Sequence, residues 1–279
     1  MMDTILFGLT IGAILYFISI GLSLTFGTMK VINFAHGLVY ALGVYFYISL
    51  LPRLGSFLPA MIVSVALVIP ISYLIERLVV RRLYGQSIDY AIIATYAVLL
   101  IGTDAIKIAY GAIPYPLSAP IRGSFSFLGA SLPIYRTLVV VAAVLVFLGL
   151  TLFFKKSMVG KVVTAALDDL EGVRCLGLKV EKYFSIIFMI GSGLAALGGI
   201  LYAPISAAHP YMGFYILLMA FAVVIVGGMG NMKGTFIAAF ALGLLISITG
   251  RVYPQAAEVI VFVAMALVLL FRPIEDASH

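Results

Sequence analysis

The stretch VINFAHGLVYALGVYF (31–46) places an amide and an imidazole in an otherwise apolar run. At helical spacing Asn33, His36 and Tyr40 share one face, with Gly37 beside them. Such groups exchange hydrogen bonds with a polar solute, whereas covalent catalysis needs a converging nucleophile or metal set. Two compatible interpretations follow. Asn33 caps a helix start while His36 bonds a nearby carbonyl, or this face lines a solute route or its gate.

A second candidate is GGMGNMKG (227–234), in which Gly227, Gly228 and Gly230 interrupt an apolar run ahead of Asn231. A tight turn between two helices is the favoured interpretation. The alternative is a broken helix whose free backbone polar groups face a cavity, as in transporters with unwound helices. The second interpretation makes Gly227, Gly228, Gly230 and Asn231 candidate residues of the translocation route or its gate.

Asp104 and Lys107, three residues apart, form the third polar constellation. On a helix this spacing predicts a surface ion pair. Contact with a zwitterionic solute is the alternative, because such a solute needs both signs of charge.

The elements that must position these groups follow from composition. Of 279 residues, 64% are hydrophobic and 10% are charged, against roughly half and a quarter in soluble domains. The chain is therefore predicted to be an integral membrane protein. Its net charge of +6 comes from basic residues between apolar runs, which argues against a nucleic-acid partner. The single cysteine, Cys175, excludes an internal disulfide, and zinc-type Cys/His spacing is absent from the sequence.

Continuous apolar runs predict one all-α transmembrane domain over 1–279, a polytopic bundle of nine spans with eight as the alternative. Twelve of the 17 basic residues then fall on one side, which predicts an outside N-terminus and a cytoplasmic C-terminus. The predicted spans are 4–26, 34–51, 58–78, 90–109, 134–154, 184–204, 212–228, 234–250 and 256–271.

The cytoplasmic loop KKSMVGKVVTAALDDLEGVRCLGLKVEK (155–182) is amphipathic but too charged to insert. Asp168 followed by Glu171 resembles a capping box, and Gly177 suits a left-handed helix stop. The pattern predicts a short helix over about 169–176 with a second helix before it. Such a helix either lies on lipid headgroups or, as its acids favour, fits a groove on a soluble partner.

Three segments carry a family resemblance: GLSLTFGTMKVINFAHG (21–37), GKVVTAALDDLEGVRCLGL (160–178) and VVIVGGMGNMKGTF (223–236). Together they resemble the permease subunits of binding-protein-dependent ABC importers for branched-chain amino acids, over nearly the whole chain. The resemblance implies that the loop is the element that couples the permease to its ATPase. The implied coupling residues are Gly160, Lys161, Asp168, Asp169, Glu171, Arg174 and Gly177.

The loop departs from the family pattern at two positions. Thr164 stands where the family has its second basic residue, and Gly172 replaces an alanine. One charge contact to the ATPase is therefore missing or is made by Arg174.

The resemblance also implies the partners and the location. They are a second homologous permease subunit, two ATP-binding subunits, an extracytoplasmic binding protein and the bilayer of a bacterial inner membrane. The sequence has no Walker A motif, so the chain is predicted to be a transporter permease without a catalytic site or cofactor of its own, with ATP on its partners.

The expected cargo is leucine, isoleucine or valine, moved inward. Urea or short amides are the alternative cargo, because related permeases carry them. A stand-alone ion-coupled transporter is the alternative mechanism and would need mid-span carboxylates. Glu76, Asp104 and Glu258 all fall near predicted span ends instead.

Overall fold

A computed structural model of the chain describes residues 2–127 and 130–271; Arg272, counted among the cytoplasmic basic residues, lies outside them. Each predicted span coincides with a helix. The helices are α1 Met2–Met29, α2 Ala35–Leu54, α3 Phe57–Leu78, α4 Ile88–Tyr110, α5 Ile134–Lys156, α6 Met158–Asp168, α7 Leu170–Cys175, α8 Val180–Tyr202, α9 Met212–Gly227, α10 Met232–Val252 and α11 Val259–Phe271.

Seven of these helices are long and apolar enough to cross a membrane. The helices α9 and α11 are apolar but have only 16 and 13 residues. At 1.5 Å per residue, α9 extends about 24 Å, short of a hydrocarbon core of about 30 Å. The fold is thus a polytopic helical membrane protein, and the count of nine spans stays a prediction.

The connection between α4 and α5 contains an element that the all-α prediction missed. Strands β1 (Ser124–Phe127) and β2 (Ala130–Pro133) pair antiparallel, with Phe125 opposite Leu132. The strands have four residues each, too few for the alternation of side chains to stand out in the sequence. Earlier in the same connection, Tyr115 pairs with Ala208 through two backbone hydrogen bonds, which joins this connection to the one between α8 and α9.

The centre of the bundle is formed by α1 and α8. In the most apolar window of each, 72% of the residues are buried, against 22%, 28% and 17% in α3, α4 and α5. Helix α1 packs on α5, α8, α9 and α10, while α8 also packs on α2 and α3. The weakly buried helices therefore form an outer layer around a two-helix core.

Small residues allow the central helices to approach closely. A Cβ on Gly12 would stand 2.8 Å from the Cα of Phe240 in α10, and one on Gly21 would stand 2.5 Å from the carbonyl oxygen of Gly191 in α8. Real Cβ atoms do not approach so closely, so α1 needs glycine where it meets α10 and α8. Such backbone contact is how membrane helices associate without a hydrophobic driving force between them.

Candidate functional site

The connection between α1 and α2 is a non-helical break buried within the bundle. It begins at Lys30, whose φ of 52° is left-handed and ends α1. The Phe34 amide donates to Oγ1 of Thr95 at 3.0 Å, and that hydroxyl donates to the Ala91 carbonyl at 2.7 Å. Since Thr95 lies seven residues into α4, the break sits about 10 Å along that helix from its end.

The predicted side-chain cap by Asn33 is wrong. Phe34 holds the N-cap position, and the side-chain amide of Asn33 has no partner among the residues that the structure describes. The reason is local. The amides of His36 and Gly37 donate to the backbone carbonyls of Asn33 and Phe34, which closes the first turn without a side chain. Asn33 is nevertheless buried, at 1% exposure.

His36 and Tyr40 project into the packed centre of the bundle. The Nε2 of His36 lies 3.1 Å from the Ile18 carbonyl oxygen of α1, the neighbouring carbonyl that the sequence called for. Gly37 packs against the start of α9, where a Cβ would stand 2.6 Å from the Gly213 carbonyl oxygen. The three residues therefore do not form one helical face. Asn33 precedes α2, whereas His36 lies against α1 and Tyr40 lies against α8.

The GGMGNMKG segment forms a four-residue turn, 228–231, between α9 and α10. Gly228 and Gly230 have φ values of 87° and 78°, which favour glycine. The Oδ1 of Asn231 accepts from the Gly234 amide at 3.0 Å and caps α10. This geometry is the turn that the sequence favoured.

The break and the turn meet around a cavity of about 60 Å³. A Cβ on Gly230 would stand 3.0 Å from the Cα of Gly27, so the turn lies directly against the last part of α1. Asn33 and Met229, one from each segment, both line the cavity. Apart from Asn33 its lining is apolar and includes Phe26, Phe221 and Val224. The cavity therefore lies where the turn meets the 30–34 break, and its apolar lining does not match the alternative of free backbone polar groups facing a cavity.

The loop between α5 and α8 is folded by short-range caps. The Oγ of Ser157 accepts from the Gly160 amide at 3.0 Å and starts α6, and Oδ1 of Asp169 accepts from the Gly172 amide at 2.8 Å and starts α7. Gly177, with a φ of 77°, follows α7 as predicted. The capping residue is therefore Asp169, and the prediction of Asp168 is wrong by one position. Helix α6, the second helix expected before α7, ends at Asp168 itself.

The two loop helices bury one face and expose the other. Val163, Ala166 and Val173 are buried, as the periodicity predicted. On the exposed face Leu167 and Leu176 are 47% and 78% accessible. They lie among exposed charged residues, namely Lys161, Asp168, Asp169, Glu171 and Arg174.

The loop connects to the spans through a polar contact and a backbone contact. Arg174 of α7 donates to Oε1 of Glu181 at 2.7 Å, in the first turn of α8. One turn further, the Ser185 hydroxyl donates to the Glu181 carbonyl at 2.9 Å and accepts from Nη2 of Arg81 at 2.5 Å. A chain of hydrogen bonds therefore leads from α7 to the short connection after α3.

Glu76 is the buried end of this chain, at 0% exposure. Nε and Nη2 of Arg81 donate to its two oxygens at 3.1 and 3.0 Å, and the Tyr84 hydroxyl donates to Oε1 at 2.9 Å. Burial raises the pKa of Tyr84, with the charge of Glu76 as the next cause, so the phenol stays a donor. We call Glu76, Arg81, Tyr84 and Ser185 the Glu76 network.

The Glu76 network reaches the end of α1, because the Tyr84 oxygen lies 3.3 Å from Sδ of Met29. Sequence reasoning placed Glu76 at a span end and gave it no role. Its one available signal was an acid that ends an apolar run five residues before an arginine. The hydrogen bond between Arg81 and Ser185 joins residues 104 apart, and nothing in the sequence indicated it.

Asp104 and Lys107 form the expected ion pair at 3.1 Å. The ammonium also lies 5.3 Å from the ring centroid of Tyr211, just before α9. Both charged side chains are accessible, which is typical of a helix-surface pair.

Taken with the buried break and the cavity, the fold defines a polytopic membrane protein with a charged loop that joins its spans through a buried polar network. The chain belongs to the family described as the permease component of branched-chain amino acid transport systems, whose model matches residues 4–271.

Three relatives align along nearly the whole chain. The high-affinity branched-chain amino acid permease BraD of Pseudomonas aeruginosa is 29% identical over 95% of this chain and 92% of its own length. Escherichia coli LivH, a permease protein of the same description, is 27% identical over the same shares. A probable LivH of Methanocaldococcus jannaschii is 28% identical over 94% of this chain and 89% of its own.

Proposed function

We propose that this chain is a permease subunit of an ABC importer that moves leucine, isoleucine or valine inward. Separate ATPase subunits drive it, and an extracytoplasmic binding protein delivers the amino acid. A second homologous permease subunit completes the route. The observation that carries the proposal is the folded loop 157–179, whose two capped helices expose leucines among charges in a member of this transport family.

The exposed face of the loop suits a soluble protein partner. Leu176 is 78% exposed and lies beside the left-handed Gly177, so the tip of the loop presents an apolar side chain on a rigid stop. An amphipathic helix commonly inserts such anchors into a groove of its partner. Asp168 and Glu171 would be repelled by anionic headgroups, which favours a protein groove over the lipid surface.

The proposed motion passes from the loop to the spans. A shift of α7 acts on Glu181 through Arg174, and α8 is joined to the end of α1 through the Glu76 network. Separating a buried ion pair is costly, so we infer that the residues of the Glu76 network move together. In this proposal ATP binding on the partner displaces the loop, and the end of α1 follows.

The proposed location is the inner membrane of a bacterium, with nine spans, the N-terminus outside and the C-terminus in the cytoplasm. The basic residues support this orientation, since only Arg53, Lys107, Arg122, Arg136 and Arg251 then lie outside. In that orientation the loop 157–179, the 228–231 turn and the Glu76 network share the cytoplasmic side. The ATPases would bind on that side.

Reconstitution tests the proposal. Proteoliposomes that contain this chain with its partner permease, both ATPases and the binding protein should accumulate radiolabelled leucine only when ATP is supplied on the cytoplasmic side. Accumulation driven by an ion gradient without ATP would instead identify a secondary transporter. ATP-dependent uptake of urea or acetamide, but not leucine, would identify the alternative cargo.

Glu171→Lys tests the loop within the same assay. We expect uptake to fall about tenfold while ATP hydrolysis continues, because reversing a charge at an interface opposes docking. The control is Asp89→Lys, an equally exposed acid in the first turn of α4 on the same proposed side. Equal uptake by both variants would show that the loop does not couple the two activities.

A further inference from the structure

We propose that the cavity between the 30–34 break and the end of α9 receives the aliphatic side chain of the transported amino acid. In this inference the amide of Asn33 pairs with the charged backbone end of the same molecule. The inference rests on the proposed function and adds the contacts that select the side chain.

The size of the cavity limits what it can take. Its volume is about 60 Å³, and one water-sized sphere needs about 10–15 Å³ measured in this way. The cavity therefore holds about four to six such spheres, about the bulk of a branched chain of three or four carbons. An aromatic side chain is too large without movement of the walls.

The walls limit the chemistry. The lining from α1 and α9 consists of aliphatic and aromatic side chains, among them Leu22, Phe26, Val224 and Ile225. Because this inference assigns the amide of Asn33 to the backbone end of the amino acid, a charged or strongly polar side chain placed there would lose its water without gaining a partner. The cavity therefore favours aliphatic side chains over acidic, basic and amide ones.

Asn33 supplies the observation that points to a ligand. Asn33 is one of the residues that line the cavity and is 1% exposed, and neither Oδ1 nor Nδ2 of its side chain finds a partner among the described residues. Buried polar groups are nearly always paired, so an unpaired one marks a missing partner. An amide carries two donors and an acceptor, which suits both a carboxylate and an ammonium. A zwitterionic amino acid carries both groups next to its side chain.

The flanking segments let the cavity open and close. Residues 30–34 and 228–231 are non-helical, so they can change conformation without breaking helical hydrogen bonds. The Met29 end of α1 contacts the Glu76 network, and Met229 of the turn is 37% exposed. A displacement of α1 relative to α9 would therefore change the cavity itself.

The test changes the cavity by single methylene groups at Val224. The assembled importer is assayed for uptake of leucine and of valine, each at a saturating concentration of loaded binding protein, so that delivery does not limit the ratio. Val224→Ile narrows the cavity and should lower the leucine-to-valine ratio of maximal rates by about tenfold, the discrimination that one methylene gives in an apolar pocket. Val224→Ala should raise uptake of the larger methionine relative to valine.

Val223 provides the matched control. It is the preceding residue of α9 and is equally buried, at 0% against 3%, but it is not part of the cavity lining. Val223→Ile and Val223→Ala should alter the amount of folded protein as the Val224 changes do, while the uptake ratios stay unchanged. A purely structural role of Val224 would move both positions together and overturn the inference.

Met229→Phe tests the cavity without disturbing the packed core, because Met229 lies in the turn and its side chain is partly exposed. It should reduce leucine uptake more than valine uptake while ATP hydrolysis continues. If the wild-type importer takes up leucine with ATP and none of these variants changes a ratio, the cavity is not the side-chain site although the proposed function stands. If the wild type takes up no aliphatic amino acid, the proposed function itself is wrong.

Discussion

The loop 157–179 and the cavity at the 30–34 break are built in opposite ways. Each side-chain cap in the loop joins residues three apart, Ser157 to Gly160 and Asp169 to Gly172. Around the cavity the partners are distant in the chain. Thr95 holds Phe34 across 61 residues, and Thr235 donates to Ser23 across 212. The loop is therefore a local structure, whereas the cavity exists only when the bundle is assembled.

In the proposed mechanism this difference suits the two regions to different tasks. There, a locally folded loop keeps its shape while it docks and undocks, so it can transmit force as a rigid body. A cavity between non-local segments changes whenever the helices shift. The Glu76 network is the physical link between the two, because it contacts the loop through Ser185 and Glu181 and the cavity side through Met29.

Removing the link should have the largest effect. Arg81→Leu leaves the fully buried Glu76 carboxylate without its ion pair, and we expect a loss of about 3 kcal/mol in unfolding free energy. Thermal unfolding of the purified protein measures the loss. Arg82→Leu, an exposed neighbour, is the control and should change little. Glu76→Gln combined with Arg81→Leu should recover most of the stability, because no buried charge remains.

If the two regions communicate through this network, the recovered double variant should still hydrolyse ATP but transport poorly. Restoration of transport together with stability would mean that the network only holds the fold. The Glu76 network would then not connect the loop to the cavity.

The loop itself should respond to backbone conformation. Gly177→Ala forces a side chain into a φ of 77° and should cost about 1–2 kcal/mol locally, seen as faster hydrogen exchange over α7. Gly149→Ala in α5 is the control, since its φ is not positive and a Cβ there meets nothing within 4 Å. That change should be neutral or stabilising, because alanine favours a helix. Similar exchange in both variants would show that the loop lacks the predicted rigid stop.

The sequence predicted the locally folded loop well and the cavity, which depends on distant contacts, poorly. Periodicity and hydropathy located nine helices, and the loop helices followed from capping residues with an error of one position, because Asp168 and Asp169 are chemically identical candidates. The break was recognised only as a polar stretch. Its true partner, Thr95, lies in another helix and carries no local signal, so the cap was assigned to Asn33 instead. The cavity between the 30–34 break and the 228–231 turn could not be predicted from the sequence, because it forms only when α1 packs on α9.

Two neighbouring aspartates in the loop test which residue caps α7. Asp169→Ala removes the Oδ1 acceptor for the Gly172 amide and should destabilise α7 by about 1 kcal/mol. Asp168→Ala, one residue earlier and at the end of α6, should cost much less. Hydrogen exchange of the α7 amides in both variants decides between them. The opposite order would restore Asp168 as the cap.

The smallest stability change should occur at the cavity, and with the opposite sign. Asn33→Leu replaces a buried amide that has no partner among the described residues by an apolar group of similar size, so the unfolding free energy should stay constant or rise by up to about 1 kcal/mol. Uptake should nevertheless fall, because the proposed partner of the amino acid backbone is gone. Thermal unfolding and ATP-driven uptake, measured on the same preparation, separate the two quantities. A clear loss of stability would mean that Asn33 is paired in the folded protein, and the cavity would then be a packing defect with no need for a ligand.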